Sequence, residues 1–329
     1  MNTQILPIDG ASLALAEKIL KSGGVVAFPT ETVYGLAANA YDTAAVESVF
    51  KIKGRPNDNP LIVHVHEDFD LAELVCGIPD YAKLLAEAFL PGPLTMVYKN
   101  KGTVSPAVSC GGDTLAVRIP SHSGARQFLK SVGLPIAAPS ANVSKHVSPV
   151  TAEHVYDDLN GKIPLILDGG KCEGGIESTV LDCTGKIPCI LRSGLVTKDM
   201  IASVAGACDE YVIKDGERMR SPGLKYKHYS PECETVLFDF KDRKAAFTLY
   251  NDKLAAGVKV WLMCDNAVAG EFDGKNVLNL GNGGAEIAAN LYDKLREGER
   301  VAELIIAVAP EKQDGVMIGV MNRMRKACS

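Results

Sequence analysis

The 329-residue sequence reads as a two-domain α/β protein: a large twisted sheet with helices, then a smaller Rossmann-like domain. Three observations carry this reading. Short apolar runs alternate with segments of helical period over residues 1–205. A stretch bounded by Ser-Pro pairs then breaks both patterns, and strand and helix alternate again over 234–329. At roughly 150 residues per domain the length suits two. With 47% apolar and 23% charged residues, the chain can bury a proper core.

In the first unit the expected strands are Val25–Phe28, Leu61–Val65, Leu94–Tyr98, Leu115–Ile119, Ile136–Ala138, Leu165–Leu167 and Thr179–Leu181. Helical patterns fall at Ser12–Lys21, Thr43–Ile52, Tyr81–Phe89, Gly124–Ser131 and Ala152–Leu159. Asp42 and Thr151 stand where N-caps belong. Residues 206–233 read as a long linker, because proline removes donors and disfavours helix in the residue before it. Its segment 218–231 holds Arg218, Arg220, Lys225 and Lys227 among Tyr226, His228 and Tyr229, with no acid, so it is expected to bind something. In 234–329 the expected strands are Thr235–Phe240, Val258–Met263, Val277–Leu280 and Leu304–Val308. Helices are expected at Asp242–Ala255, Ala285–Arg296 and near Val316–Lys326. Gly281-Asn282-Gly283-Gly284 precedes a helix, but Glu286 breaks the dinucleotide fingerprint, and a structural turn is the favoured reading.

Several function classes are excluded. The formal charge of −5 argues against a broad nucleic-acid surface. Residues 1–205 carry 17 basic against 21 acidic groups, and residues 234–329 carry 13 against 14, so neither domain has a basic excess. No run nears the ~18 apolar residues of a membrane span, and the polar start is no signal peptide, so a cytoplasmic chain is expected. The nine cysteines form no CxxC pair and read as reduced, packed thiols. There is no GxxxxGK[ST], no GxSxG and no HExxH.

Polar groups nonetheless gather at strand ends. Pro29-Thr30-Glu31-Thr32 follows the first strand, and Lys53-Gly54-Arg55-Pro56 closes a helix so that Arg55 sits on a rigid loop. Arg118, flanked by strand hydrophobes, needs an anion, either a buried acid or a substrate carboxylate. His64 in an apolar strand reads first as a satisfied core residue. Pro139-Ser140-Ala141-Asn142, Ser148-Pro149, Glu177-Ser178-Thr179 and Arg192-Ser193-Gly194 add hydroxyls, amides and another guanidinium, with Gly174-Gly175 as a possible anion nest. Together they describe a pocket for something bearing phosphate and carboxylate. Such a pocket aligns charged reactants and needs no covalent nucleophile.

In this order the motifs PTETVYGL (29–36), KGRP with NPL (53–56, 59–61), PSAN (139–142), ESTV (177–180) and LRSG (191–194) resemble the YrdC-like fold. SPGLKYKHYSP (221–231), followed by a small α/β domain, resembles the two-domain Sua5 form of the Sua5/YciO/YrdC family, the threonylcarbamoyl-AMP synthases. The resemblance covers the whole chain. It implies a nucleotidyltransferase that joins L-threonine, bicarbonate or CO2 and ATP, with Mg2+ held mainly by the nucleotide phosphates. The products would be L-threonylcarbamoyladenylate and pyrophosphate, the first step of threonylcarbamoyladenosine formation at adenosine 37 of tRNA. A separate tRNA threonylcarbamoyl transferase complex would then take the product, leaving direct tRNA binding weak or absent.

By the same resemblance, Thr32, His64, Arg118, Ala138 and Ser178 would bind threonine, with Arg118 on its carboxylate. Lys53, Arg55, Asn59, Thr114, Ser140, Asn142, Ser148, Arg192 and Tyr229 would surround ATP, with Lys53 and Arg55 also acting in catalysis. The linker would close over the site through Lys225, Tyr226 and Tyr229. The chain departs from the pattern at Leu224, at Lys145-His146 and at Ala138, where a threonine contact would have to come from backbone. Two other readings are weighed: an RNA-binding module, which the charge balance disfavours, and carbamoyl transfer in hydrogenase maturation, which would bring CxxC pairs.

Overall fold

Two sheets organise the chain in the computed structural model, which describes residues 2–211 and 229–328. The first comprises β1 (Gln4–Pro7), β2 (Val26–Phe28), β3 (Gly35–Asn39), β4 (Ile62–His64), β5 (Val75–Cys76) and β6 (Leu94–Asn100). It continues through β7 (Thr114–Arg118), β8 (Ile136–Ala138), β9 (Leu165–Asp168), β10 (Thr179–Asp182), β11 (Cys189–Arg192) and β12 (Asp209–Glu210). The order across it is β1-β9-β2-β3-β8-β4-β7-β6-β10-β11-β12, with β5 paired to β6. Helices α1 (Gly10–Lys21), α2 (Thr43–Lys53), α3 (Asp80–Phe89), α4 (Ser123–Val132), α5 (Ala152–Leu159) and α6 (Lys198–Ala205) belong to the same half.

The expected strands and helices of this half are present within a few residues. Asp42 and Thr151 do cap their helices: Asp42 accepts from Ala44 N and Ala45 N, and Thr151 from His154 N. Gly35–Asn39, to which the sequence reading assigned no strand, is a strand antiparallel to β2. Strands β1, β5, β11 and β12 and helix α6 also went unassigned. Because β12 pairs with β11, the first sheet keeps the chain as far as Glu210, beyond the expected boundary at 205.

Strand alternation aims the polar residues. On β7, Leu115 and Val117 enter the main core, while Ala116 packs on the opposite face with Ile62, Val97, Val180 and Leu191. Arg118 lies two residues beyond Ala116, hence on that same face. His64 follows Ile62 in the same way, and the parallel register of β4 and β7 sets His64 beside Arg118. Antiparallel β8 brings Ala138 opposite Ile62. One sheet face thus presents all three where strands end.

The second sheet is wholly parallel, in the order β13 (Glu234–Phe238), β16 (Leu304–Val308), β14 (Val260–Cys264), β15 (Val277–Asn279). Val260, Leu262, Cys264, Leu304, Ile306 and Val308 face α7 (Arg243–Ala255) and α8 (Asn266–Glu271). Met263, Ile305 and Ala307 join a core with α9 (Gly283–Val301) and α10 (Val316–Ala327). Apolar residues on both faces of parallel strands are what the Rossmann-like expectation required. In the glycine turn, Gly281 N donates to Asn279 Oδ1 (2.8 Å) and Asn282 N to Glu286 Oε2 (2.7 Å), so the turn is satisfied internally.

The two halves share one core. The cluster holding Leu36, Val63, Val117 and Leu181 runs on into Leu291, Tyr292, Leu295, Val320 and Met324. The halves approach closely at Gly175, where a Cβ would stand 2.2 Å from Ala288 O of α9 and φ is +66°. Gly174 N donates to Glu31 O at 2.7 Å. The Gly174-Gly175 pair is therefore a helix-packing turn, and the anion-nest reading is corrected. Among the described residues no helix is long and apolar enough to cross a membrane. Gly175→Ala is expected to cost about 2 kcal/mol or more, from the steric clash and the left-handed backbone together. Urea denaturation with unchanged midpoint would contradict that.

Candidate active site

The sheet face carrying Ile62, His64, Arg118 and Ala138 floors a cavity of about 670 Å³, counting its open mouth. Thr32, Arg55, His64, Arg118, Ala138, Ser140, Asn142, Ser148, Ser178, Arg192 and Tyr229 all line it. Lys53, Asn59 and Thr114 do not. Thr114 begins β7, four residues from Arg118 and so roughly 13 Å away along the strand. Lys225 and Tyr226 lie outside the described residues, as does most of the 218–231 segment.

Arg118 is 4% exposed and resolves the question its sequence context raised. Its Nη1 donates to Thr32 Oγ1 (2.8 Å) and its Nε to Gly92 O (3.2 Å). Nη2 stands 2.8 Å from Glu31 Oε1, but off the hydrogen-bond direction. A buried acid therefore balances the charge, while Nη2 keeps unused donor capacity. Burial alone would raise the Glu31 pKa, but the Arg118 charge and hydrogen bonding carry it below the usual value. His64, packed edge-on to Phe28, has its pKa lowered to about 3 by burial and by Arg118, so it is neutral. Its Nδ1 has no hydrogen-bond partner.

Two further guanidinium groups, those of Arg55 and Arg192, reach the same cavity. At the end of α2, Gly54 takes φ +61°, and Arg55 N donates to Phe50 O, turning the chain sharply. The Arg55 guanidinium then donates to Asn59 O (3.2 Å) and Pro60 O (3.1 Å). These are neutral acceptors, and they give Asn59 a backbone role in fixing Arg55. Burial lowers the Arg55 pKa to about 10, with the Arg192 charge pushing the same way. It remains a cation at neutral pH. Arg192 donates from Nε (3.2 Å) and Nη2 (3.0 Å) to Ser178 O. Two guanidinium groups sharing one cavity suit a multiply charged anion.

Lys53 has another place. It is 2% exposed, and its Nζ donates to Ser140 O (2.5 Å) and to Asn142 O, so it lies beneath the 139–142 loop rather than in the lining. Burial, with the Arg55 charge, pushes its pKa well down. Asn142 reinforces the loop, its Nδ2 donating to Val143 O (2.9 Å) and His146 O (2.8 Å) while Oδ1 accepts from Ser140 Oγ (2.5 Å).

Other residues at the cavity were given no role by the sequence reading, although Glu177 and His146 were noted there. Glu177 lines the cavity and accepts from Ser148 Oγ (2.7 Å), Tyr292 OH (2.9 Å) and Arg323 Nε (3.1 Å). Burial opposes its ionisation, yet Arg323 and Arg192 hold its pKa at about 2. A second knot joins the domains: Arg296 of α9 grips Asp158 of α5 in two-point fashion (2.8 and 2.9 Å). His146, also in the lining, bridges Asp158 (2.9 Å) and Glu299 (3.1 Å). The signal was available, since Arg323 falls among Met317, Val320, Met321 and Met324 on one helix face. A cation on an apolar stripe implies a buried acid, as it did for Arg118.

The fold and cavity define a two-domain α/β protein in which three arginines, Arg55, Arg118 and Arg192, reach one ligand-sized space. Residues 18–194 match the Sua5_yciO_yrdC family model, described as "Telomere recombination". Residues 196–329 match Sua5_C, described as "Threonylcarbamoyl-AMP synthase, C-terminal domain". The threonylcarbamoyl-AMP synthase of Bacillus subtilis is 40% identical, over 99% of this chain and 95% of its own. That of Schizosaccharomyces pombe is 37% identical, over 92% and 85%. A structure of Pyrococcus abyssi Sua5 complexed with L-threonine superposes with a TM-score of 0.91 at 39% identity, covering 99% of this chain and 97% of that one. The chain belongs to the threonylcarbamoyl-AMP synthase family, in its two-domain Sua5 form.

His146 gives a pH prediction. Burial disfavours its charged form, but the hydrogen bonds to Asp158 and Glu299 prevail and raise its pKa to about 9. A folded-state pKa above the unfolded value of ~6.5 stabilises fully below that value and is lost as pH rises through about 9. The stability difference between the parent protein and His146→Gln should therefore be largest below pH 6.5 and shrink towards pH 9 in denaturant titrations. A pH-independent difference would contradict it.

Proposed function

We propose that this chain condenses L-threonine, CO2 or bicarbonate and ATP into L-threonylcarbamoyladenylate and pyrophosphate. The observation that supports it most is one cavity lined by Arg118, beside neutral His64, and by Arg55 and Arg192. Threonine supplies a carboxylate for Arg118 and Thr32, and ATP supplies phosphates for the other pair. The relative solved with L-threonine gives independent support.

In this reading Arg118 Nη2, already aligned by Thr32, Gly92 and Glu31, takes the threonine carboxylate. His64, held neutral, adds no positive charge to repel the threonine ammonium, and its open Nδ1 offers a partner for a polar group of the amino acid. The amine, its ammonium proton lost to solvent, attacks CO2: a C–N bond forms as one C=O π bond opens, a second N–H proton passes to solvent, and N-carboxythreonine results. One carboxylate oxygen of that carbamate then attacks the α-phosphorus of ATP, and the bond to the bridging oxygen breaks as pyrophosphate leaves. Arg55 and Arg192 stabilise the charge that builds on the phosphates, without a covalent enzyme intermediate. Lys53, tied to the carbonyls of Ser140 and Asn142, shapes the loop on which Ser140 and Asn142 meet the nucleotide.

Among the described residues no three His, Cys, Asp or Glu side chains group as a metal cage. The reading therefore has Mg2+ arrive on the ATP phosphates, as part of the substrate. The product is a mixed anhydride, so the tRNA threonylcarbamoyl transferase machinery is the partner proposed to consume it.

The test is pyrophosphate release from Mg-ATP with L-threonine and bicarbonate each present or omitted, with the adenylate identified by rapid chromatography and mass. Release that needs both is expected. Arg118→Ala should raise the threonine KM about a hundredfold, the upper size of a lost charge-assisted hydrogen bond, and Arg55→Ala should lower kcat. ATP binding with no pyrophosphate under any condition would overturn the activity, and RNA binding of steep salt dependence would then favour the RNA module.

A further inference from the structure

The C-terminal domain has a task that its own sheet does not disclose. Both of its helices that face the first domain send a polar side chain to Glu177. Tyr292 of α9 is fully buried and donates its hydroxyl to the carboxylate at 2.9 Å from Oε2 and 3.1 Å from Oε1. Arg323 of α10, also fully buried, donates from Nε to Oε2 at 3.1 Å, while its Nη1 donates to Ser193 O (2.5 Å) and Gly319 O (3.1 Å). Gly319 brings α10 close to the LRSG turn: a Cβ there would lie 3.2 Å from Gly194 Cα.

From Glu177 the contacts run into the cavity. Its Oε1 accepts from Ser148 Oγ at 2.7 Å, and Ser148 is 1% exposed. The next residue, Ser178, receives the Arg192 guanidinium on its carbonyl. The Tyr292 ring stacks on Tyr229, with centroids 5.4 Å apart and planes 29° apart. Ser148, Arg192 and Tyr229 therefore share one support. Arg118, Thr32 and His64 do not use it, since Arg118 is balanced by Glu31 and braced by Thr32 and Gly92.

We infer that Tyr292 and Arg323 are positioning residues supplied by the C-terminal domain, which act through the Glu177 carboxylate to set Ser148 and Arg192 on the nucleotide side of the cavity, while Arg118, Thr32 and His64, the groups proposed for the threonine carboxylate and amine, keep their separate support. This rests on the functional reading above, and it gives the second domain a defined part in that site. A buried carboxylate deprived of one donor is left partly unsatisfied and shifts, taking Ser148 and the 177–178 backbone with it. A neutral isostere at 177 needs neither cation nor phenol in the same way.

The test is a double-mutant cycle read by calorimetry of ATP and of L-threonine separately, on the full chain, with melting temperature as a control. Tyr292→Phe keeps the ring and its stack on Tyr229. It is expected to weaken ATP about tenfold and to leave threonine within twofold. Arg323→Met should do the same or more. Combining either with Glu177→Gln should add little to the Glu177→Gln loss, because the route through the carboxylate is already cut. Should Arg323→Met fail to fold, the Tyr292→Phe arm still decides. Additive losses, unchanged ATP affinity in Tyr292→Phe, or equal weakening of both ligands with a lowered melting temperature would overturn the inference. A parent protein that binds no ATP would overturn the functional reading and this inference with it, whereas a binding parent with unaffected variants overturns this inference alone.

Discussion

A carboxylate that is 7% exposed stands where the two domains and the cavity meet. Glu177 remains ionised there because Arg323 approaches from α10, Tyr292 from α9 and Ser148 from the cavity wall. Losing one partner from such a group is expensive, since the remaining charge cannot reach water. The constraint extends outwards: α10 must lie close to the LRSG turn, which Gly194 and Gly319 permit, and α9 must lie close to Gly175. The second domain is thereby joined to the first by packing and by buried charge together. Arg296 and Asp158 repeat the device a short way off, with His146 and Glu299 completing it.

The cavity applies the same economy to ligands. Arg118 has a resident counter-ion in Glu31 and yet keeps donor capacity on Nη2, so its burial is tolerated before a substrate arrives. Arg55 is bound by carbonyl oxygens alone, which orient it without neutralising it. An arginine balanced from behind suits a monoanion, and a pair facing one space suits a polyphosphate. The cavity therefore carries arginines with two different kinds of support before any reactant is considered.

Much of this was legible from residue order. The strands carrying His64, Arg118 and Ala138 were expected within a residue or two, because their apolar runs are bounded by polar loops. Eleven of the expected site residues line the cavity for the same reason: they end strands or begin loops, where side chains converge. Lys53 was expected at the phosphates by resemblance, whereas its position in α2 buries its ammonium against the carbonyls of the 139–142 loop. Gly35–Asn39 drew no strand assignment because its apolar residues follow a polar run and begin at glycine. The roles of Tyr292 and Arg323 could not be derived, since their partner is 115 and 146 residues away in sequence. Their helical faces said only that something buried must receive them.

The central claim is that one cavity holds an amino-acid carboxylate on Arg118 and a nucleotide triphosphate against Arg55 and Arg192. A crystal structure of the protein with L-threonine and a non-hydrolysable ATP analogue tests it most directly. The account predicts the threonine carboxylate within hydrogen-bond distance of Arg118 Nη2, and the phosphates between the Arg55 and Arg192 guanidinium groups. Threonine bound away from Arg118, or a triphosphate outside the reach of both Arg55 and Arg192, would contradict it.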